Sequence, residues 1–198
     1  MFGAGNGTFA NPQTITTPGE PLGIANADLN GDAQPEIIVT LTTGGAEGNG
    51  AVQVLENLGG GVFDALPAIE SETFFFPVAI AVGDLDGDGD GDLVVTNDEG
   101  DSVSVLLGNG DLTFGEGNDY SVGSFPESLA LGDFNGDGLL DVAVAAFFDD
   151  NVGVLAGLGD GSLDETWAYE VGRGPRGVVA ADVDGDGRPD LVTANNDD

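Results

Sequence analysis

Short apolar runs, cut off from one another by glycine, proline and acidic residues, set the pattern of the whole chain. Ala79-Ile80-Ala81-Val82-Gly83 and Ser128-Leu129-Ala130-Leu131-Gly132 alternate with the period of two that marks a strand. Each run leads into an acidic loop, and a β-branched or small apolar run follows it: Ile37-Ile38-Val39, Leu93-Val94-Val95, Val142-Ala143-Val144 and Leu191-Val192. Every acidic loop therefore joins two strands. A third strand is predicted at Val52-Gln53-Val54-Leu55, Val103-Ser104-Val105-Leu106 and Val152-Gly153-Val154-Leu155, followed by a glycine-rich turn such as Leu107-Gly108-Asn109-Gly110-Asp111. A weaker fourth strand is expected at Val62-Phe63, Thr113-Phe114 and Thr166-Trp167-Ala168-Tyr169.

The acidic loops at 28–36, 84–92, 133–141 and 182–190 share one spacing, Asp-x-Asp/Asn-x-Asp-x-x-x-Asp/Glu. Their first residues stand 56, 49 and 49 positions apart, and a proline precedes each by seven residues, at Pro21, Pro77, Pro126 and Pro175. Chance does not produce four copies with their flanks in register. Four strands within about 49 residues form one propeller blade. The expected fold is all-β: a β-propeller with three full four-stranded antiparallel blades and a split or incomplete fourth.

The acidic loop, the strand ending in Gly-Asp or Ala-Asp before it, and turns such as Leu107-Gly108-Asn109-Gly110-Asp111 with a following Phe114 resemble the FG-GAP repeats, also called VCBS repeats, of integrin alpha-type propellers. The resemblance spans essentially the whole chain and implies a single repeat domain over 1–198. Departures are Leu139 and Leu140 where polar residues are commoner, the turn Gly157-Leu158-Gly159-Asp160-Gly161, and Ala33 in place of glycine.

Alternate acidic residues in a tightly turning loop suit calcium, a hard cation that takes six to eight oxygens from carboxylates, amides and backbone carbonyls. On this reading the first loop offers Asp28, Asn30, Asp32, the Gln34 carbonyl and Glu36. The second offers Asp84, Asp86, Asp88, the Asp90 carbonyl and Asp92. The third offers Asp133, Asn135, Asp137, the Leu139 carbonyl and Asp141; the fourth offers Asp182, Asp184, Asp186, the Arg188 carbonyl and Asp190. About four Ca2+ ions are expected, one per loop. An EF-hand needs a ligand at position twelve and flanking helices, but that position holds Val95, Val144 and Thr193 in the last three loops, inside strand sequence. A repeats-in-toxin roll would recur every nine residues. Thrombospondin-type calcium repeats depend on cysteines, and this chain has none.

Charge narrows the function further. Thirty-six acidic residues face three arginines, with no lysine, histidine or cysteine, for a formal net charge of −33. Such a chain is repelled by nucleic acid phosphates and anionic lipid, and the usual zinc, Ser-His-Asp and disulfide chemistries lack their residues. No apolar run approaches the roughly 20 residues of a membrane span. Yet 40% of residues are apolar and eleven are Phe, enough for a core. The four loops account for 15 acids; the other 21 make a surface excess of the kind that keeps halophilic proteins solvated.

Catalysis without His, Lys or Cys would rest on carboxylates, and the most ordered of these are committed to the loops, so no catalytic residue is assigned. The expected function is a calcium-binding module serving as an extracellular binding or adhesion platform, with a protein or glycan ligand. The alternative is a carbohydrate-active propeller, lectin-like or polysaccharide lyase-like. Arg173 and Arg176 could clamp an anion, though charge-balancing arginines in a surface turn are the simpler expectation. Trp167 and Tyr169 could stack on a sugar but more often pack between blades. Phe74-Phe75-Phe76 is expected in the inter-blade core, within the longer 56-residue interval whose extra residues should fall between blades.

Residues 5–9, Gly-Asn-Gly-Thr-Phe, match the turn before a fourth strand, and residues 191–196 match a second strand. That leaves three readings: an excerpt of a longer secreted chain, a self-closed ring of four blades, or half of a homodimer. The excerpt is the preferred one, because it also accounts for the absent signal peptide. An extracellular address is inferred from calcium loops that fill where calcium is millimolar.

Overall fold

A computed structural model describes residues 3, 8, 12–42 and 49–197. The described residues contain fifteen β-strands and no helix. The strands form four antiparallel sheets in chain order. The first holds β1 (Glu20–Ala27), β2 (Glu36–Thr42), β3 (Asn49–Asn57) and β4 (Phe63–Ala65), with β5 (Ile69–Phe75) also paired to β3. The second runs β6 (Pro77–Gly83), β7 (Asp92–Asn97), β8 (Ser102–Leu106) and β9 (Asn118–Ser121). The third runs β10 (Pro126–Gly132), β11 (Asp141–Ala146), β12 (Asn151–Leu155) and β13 (Trp167–Glu170). The fourth pairs β14 (Arg173–Ala181) with β15 (Asp190–Asp197).

The first three strands of the first three repeats, and both strands of the fourth, fall where the apolar runs place them. The second strands β7 and β11 are buried at every position, which explains why they read as unbroken apolar runs: neighbouring sheets cover both faces. The first strands of successive sheets lie against one another, β1 on β6, β6 on β10 and β10 on β14. Between the sheets lie three apolar clusters. Leu29 and Ile38 meet Ile80, Leu93 and Val95; Leu85 and Val94 meet Val142 and Val144; Phe134 and Ala143 meet Val178 and Leu191.

The repeated proline marks a bulge. Pairing of each first strand slips just after Pro21, Pro77, Pro126 and Pro175, since proline has no N–H to give the ladder. In the first two sheets a threonine accepts a backbone N–H beside the bulge, Gly23 on Thr40 at 2.7 Å and Ala79 on Thr96 at 3.0 Å. The Thr40 hydroxyl also donates to the Val78 carbonyl, so it ties the first sheet to the second.

Three expectations need correction. Thr113-Phe114 is not a fourth strand: Thr113 closes the turn through Asn109 N–H and Asp111, and Phe114 makes only an isolated bridge to Gly108. The fourth strand begins four residues later, at Asn118. Phe74 is fully buried in the cluster between the first and second sheets, as expected, but Phe75 beside it in β5 is exposed. Most of the extra length in the first repeat also lies elsewhere. Val52 stands 24 residues after Asp28, whereas Val103 and Val152 stand 19 after Asp84 and Asp133. The added residues therefore fall in the β2–β3 connection, whose positions 43–48 lie outside the described residues, as do residues 5–7 and 9 of the N-terminal turn motif.

Candidate metal centres

Each acidic loop is built by its own side chains. The first Asp accepts the backbone N–H groups three and five residues on, Gly31 and Ala33 on Asp28, Gly87 and Gly89 on Asp84, Gly136 and Gly138 on Asp133, Gly185 and Gly187 on Asp182, all at 2.7–3.1 Å, and in the first, third and fourth loops also that of Asp32, Asp137 or Asp186. The next two alternate side chains each accept the N–H two residues on: Asn30 from Asp32, Asp86 from Asp88, Asn135 from Asp137 and Asp184 from Asp186. Asp32, Asp88, Asp137 and Asp186 repeat the contact with the N–H of Gln34, Asp90, Leu139 and Arg188. These Asx turns curl alternate side chains toward one side of the loop.

The consequence is a gathering of oxygens. Carboxylate oxygens of Asp84, Asp86 and Asp88 lie within 4.8 Å of one another, and in the fourth loop those of Asp182 and Asp184 do so with the closing Asp190, which accepts the Val183 N–H, instead of with Asp186. In the first and third loops Asn30 and Asn135 take the middle place through the same hydrogen bonds, which trades one charge for a neutral oxygen. Two carboxylates at such a distance repel by about 1 kcal/mol even at the dielectric of water, and by more near a protein surface. An all-oxygen donor set of clustered carboxylates fits a hard divalent cation of the calcium kind and does not suit a thiophilic metal.

The closing acids have a second role that the motif did not reveal. Glu36, Asp92 and Asp141 are buried. One oxygen of each accepts the N–H just after the loop's first Asp, from Leu29, Leu85 and Phe134 at 2.7–2.9 Å. The other accepts an N–H at or just past the end of the third strand, from Asn57, Gly108 and Gly157. Each closing carboxylate thus straps the acidic loop to the turn that follows strand three. Burial raises the Asp92 carboxyl above its ordinary range, the Gly108 and Leu85 N–H groups pull it back, and Asp86 and Asp88 push it up further. The strap requires close backbone approach: a Cβ on Gly108 would sit 2.3 Å from the Gly91 carbonyl oxygen, and one on Gly157 2.1 Å from that of Leu140. The recurring glycine after strand three was the signal available in the sequence.

The side chains at the carbonyl-donor positions point to other duties. Gln34 donates to Asp32 and the Arg188 guanidinium lies 3.6 Å from Asp186, while Leu139 is exposed. Ala33 takes a left-handed backbone angle of φ 65° where the other loops have glycine.

The opposite ends of the strands carry aromatic and acidic side chains. The Phe125 and Phe148 rings meet edge-on at 4.6 Å, and Phe147 and Phe148 at 5.0 Å. Arg176 binds Glu127 at 2.8 Å and lies 4.4 Å above the Phe147 ring. Its charge is thereby balanced within the protein, across the third and fourth sheets, as the simpler expectation had it, but Arg173 and Arg176 lie in strand β14 and not in a turn. Trp167 and Tyr169 do not pack between sheets; both are exposed on the edge strand β13.

An all-β array of sheets, each carrying one acidic loop between its first two strands, defines a repeat protein of the acidic-loop class. The FG-GAP-like repeat family matches residues 41–95, 84–144 and 133–193, and this chain belongs to it. Among solved structures, the Vibrio cholerae biofilm matrix protein Bap1 has the same fold over 88% of this chain, with 23% identity and a TM-score of 0.53. This chain spans 28% of that protein. The Photorhabdus luminescens Tc holotoxin pore aligns over 96% of this chain and 9% of its own, with 20% identity and a TM-score of 0.43. No curated protein is a significant match.

Proposed function

We propose that this chain is a calcium-binding β-propeller module acting as an extracellular binding or adhesion platform rather than as a catalyst. The observation that carries the reading is the shared hydrogen-bond ladder of the four loops, which gathers carboxylate oxygens within 4.8 Å in the second and fourth. Asp28, Asn30, Asp32 and their equivalents would supply side-chain oxygens, and a divalent ion there would relieve the mutual repulsion. Successive first strands in contact support sheets set around a common axis with those strands innermost. The extracellular and adhesive part draws on the likeness to a biofilm matrix protein and on the weak affinity expected of exposed loops. Calcium is expected to raise the melting temperature by several degrees over a chelated sample, and equilibrium dialysis should count about four ions per chain. Identical melting curves with calcium and with chelator would end the proposal.

One observation favours a glycan as the ligand: Trp167 and Tyr169 stand exposed at alternate positions of one strand, spaced for stacking on sugar rings. A glycan-binding screen followed by a product assay on the bound polysaccharides separates a lectin-like module from a polysaccharide lyase.

A further inference from the structure

The joint between the first and second sheets carries a polar network that the repeat does not require. Asn97 and Ser104 are fully buried there, and the Asn97 amide donates to the hydroxyls of Ser102 at 3.1 Å and Ser104 at 2.8 Å. The Ser104 hydroxyl lies 2.6 Å from the Asp119 carboxylate and 3.0 Å from the Thr73 hydroxyl, which lies 2.8 Å from that of Ser71. In the next joint, 49 residues on, the places of Ser71, Thr73, Asn97, Ser104 and Asp119 are taken by Tyr120, Val122, Ala146, Gly153 and Ala168. That joint closes without such a network, and burying one costs free energy.

Counting protons gives the network a direction. Ser104 has one hydroxyl proton, and the short contact with an ionised carboxylate takes it. Thr73 then donates to Ser104 and Ser71 to Thr73, so the protons run inward and lone pairs are left outward. Asn97 Oδ1 is buried without a partner, and burial raises the Asp119 carboxyl above its ordinary range. The unfilled places are therefore acceptors. Ser71 and Thr73 line a groove of about 590 Å³, with Ile69, Leu106 and Phe114 as its apolar part. Its charged lining residues are Glu70, Glu72 and Glu116, with no cation among them. Gly117 keeps the hydroxyls open, since a Cβ there would sit 2.9 Å from the Thr73 oxygen. A groove of about 580 Å³ recurs at the next joint, so the opening belongs to the way neighbouring sheets meet.

We propose that the groove between the first and second sheets binds a saccharide unit free of acid groups, which donates protons to Ser71 and Thr73 and rests its apolar face on Phe114 and Leu106. Pockets of this size, apolar with a few placed polar groups, suit small ligands, and a wall of acceptors and glutamates repels a uronate. The proposal rests on the reading of the chain as a glycan-binding module, but places the ligand away from Trp167 and Tyr169. Asp119 is a positioning residue, because it sets the direction of the hydroxyl protons.

The test is binding of the full chain, in calcium, to arrays of neutral, amine-bearing and uronic acid oligosaccharides, then titration calorimetry with the tightest. Neutral or amine-bearing probes are expected to bind and uronic ones not. Thr73→Val and Asp119→Ala each introduce a side chain that the next joint accommodates at the same place, so both should stay folded. Each should weaken binding about fivefold or more, the worth of one lost hydrogen bond, while Trp167→Ala leaves it unchanged. Binding lost in Trp167→Ala but kept in both groove variants overturns the proposal and leaves the glycan reading standing, with its site on β13. Uronic acid binding that either groove variant weakens overturns it as well. If no oligosaccharide binds, both fail.

Discussion

At the scale of single residues, two acids with the same formula behave differently because of what surrounds them. Asp111 is held below the ordinary carboxyl range by hydrogen bonds from the Thr113 hydroxyl and N–H. Asp98 is pushed up to about 6, chiefly by burial and then by Glu127, Glu99 and Asp101, against a smaller pull from Arg176. No local motif marks Asp98, since two of those neighbours reach it from other sheets. In the unfolded chain Asp98 ionises near 3.8, so between that value and about 6 the folded chain holds its proton more tightly. Asp98 therefore contributes stability that is present below the lower value and lost as pH rises through about 6. Asp98→Asn should be more stable than the parent by about 1–2 kcal/mol at about pH 7, and indistinguishable from it at about pH 3. Urea titrations at the two pH values check this, and an equal gain at both would contradict it.

At the scale of elements, the loops and the first three strands were legible in the sequence, as were the fourth strands β4 and β13, while β9 was misplaced. The loops were legible because their geometry is local: each carboxylate grips an N–H two to five residues away, so spacing alone encodes the turn. Strand β9, Asn118–Ser121, has no apolar pattern, being an edge strand of mostly exposed residues. Only its pairing with β8 defines it. The strap from Asp141 to Gly157 joins partners 16 residues apart, so only the recurring glycine hints at it. Gly157→Ala would drive a Cβ into the Leu140 carbonyl and pull the turn off the loop, a destabilisation of about 1–3 kcal/mol by thermal or urea unfolding. Gly177→Ala is the control: its Cβ would meet Ala194 at an ordinary 3.6 Å, and little change is expected there.

At the scale of the whole molecule, the acidic excess becomes a surface property. Among the described residues only Glu36, Asp92 and Asp141 are buried acids, and each is strapped by backbone N–H groups. The remainder repel one another across solvent, over a range that shrinks from about 10 Å at 0.1 M salt to about 3 Å at 1 M. The unfolding midpoint of chelated protein should therefore rise with added potassium chloride. A midpoint that falls toward molar salt would contradict this account. The amino-acid sequence by itself determined the repeat, the loop geometry and the all-β character, because these follow from backbone preferences and contacts only a few residues long. Which faces are covered was decided by tertiary structure alone: Ile38 and Val192 hold the same place in their repeats, and one is buried and the other exposed according to whether another sheet lies over it.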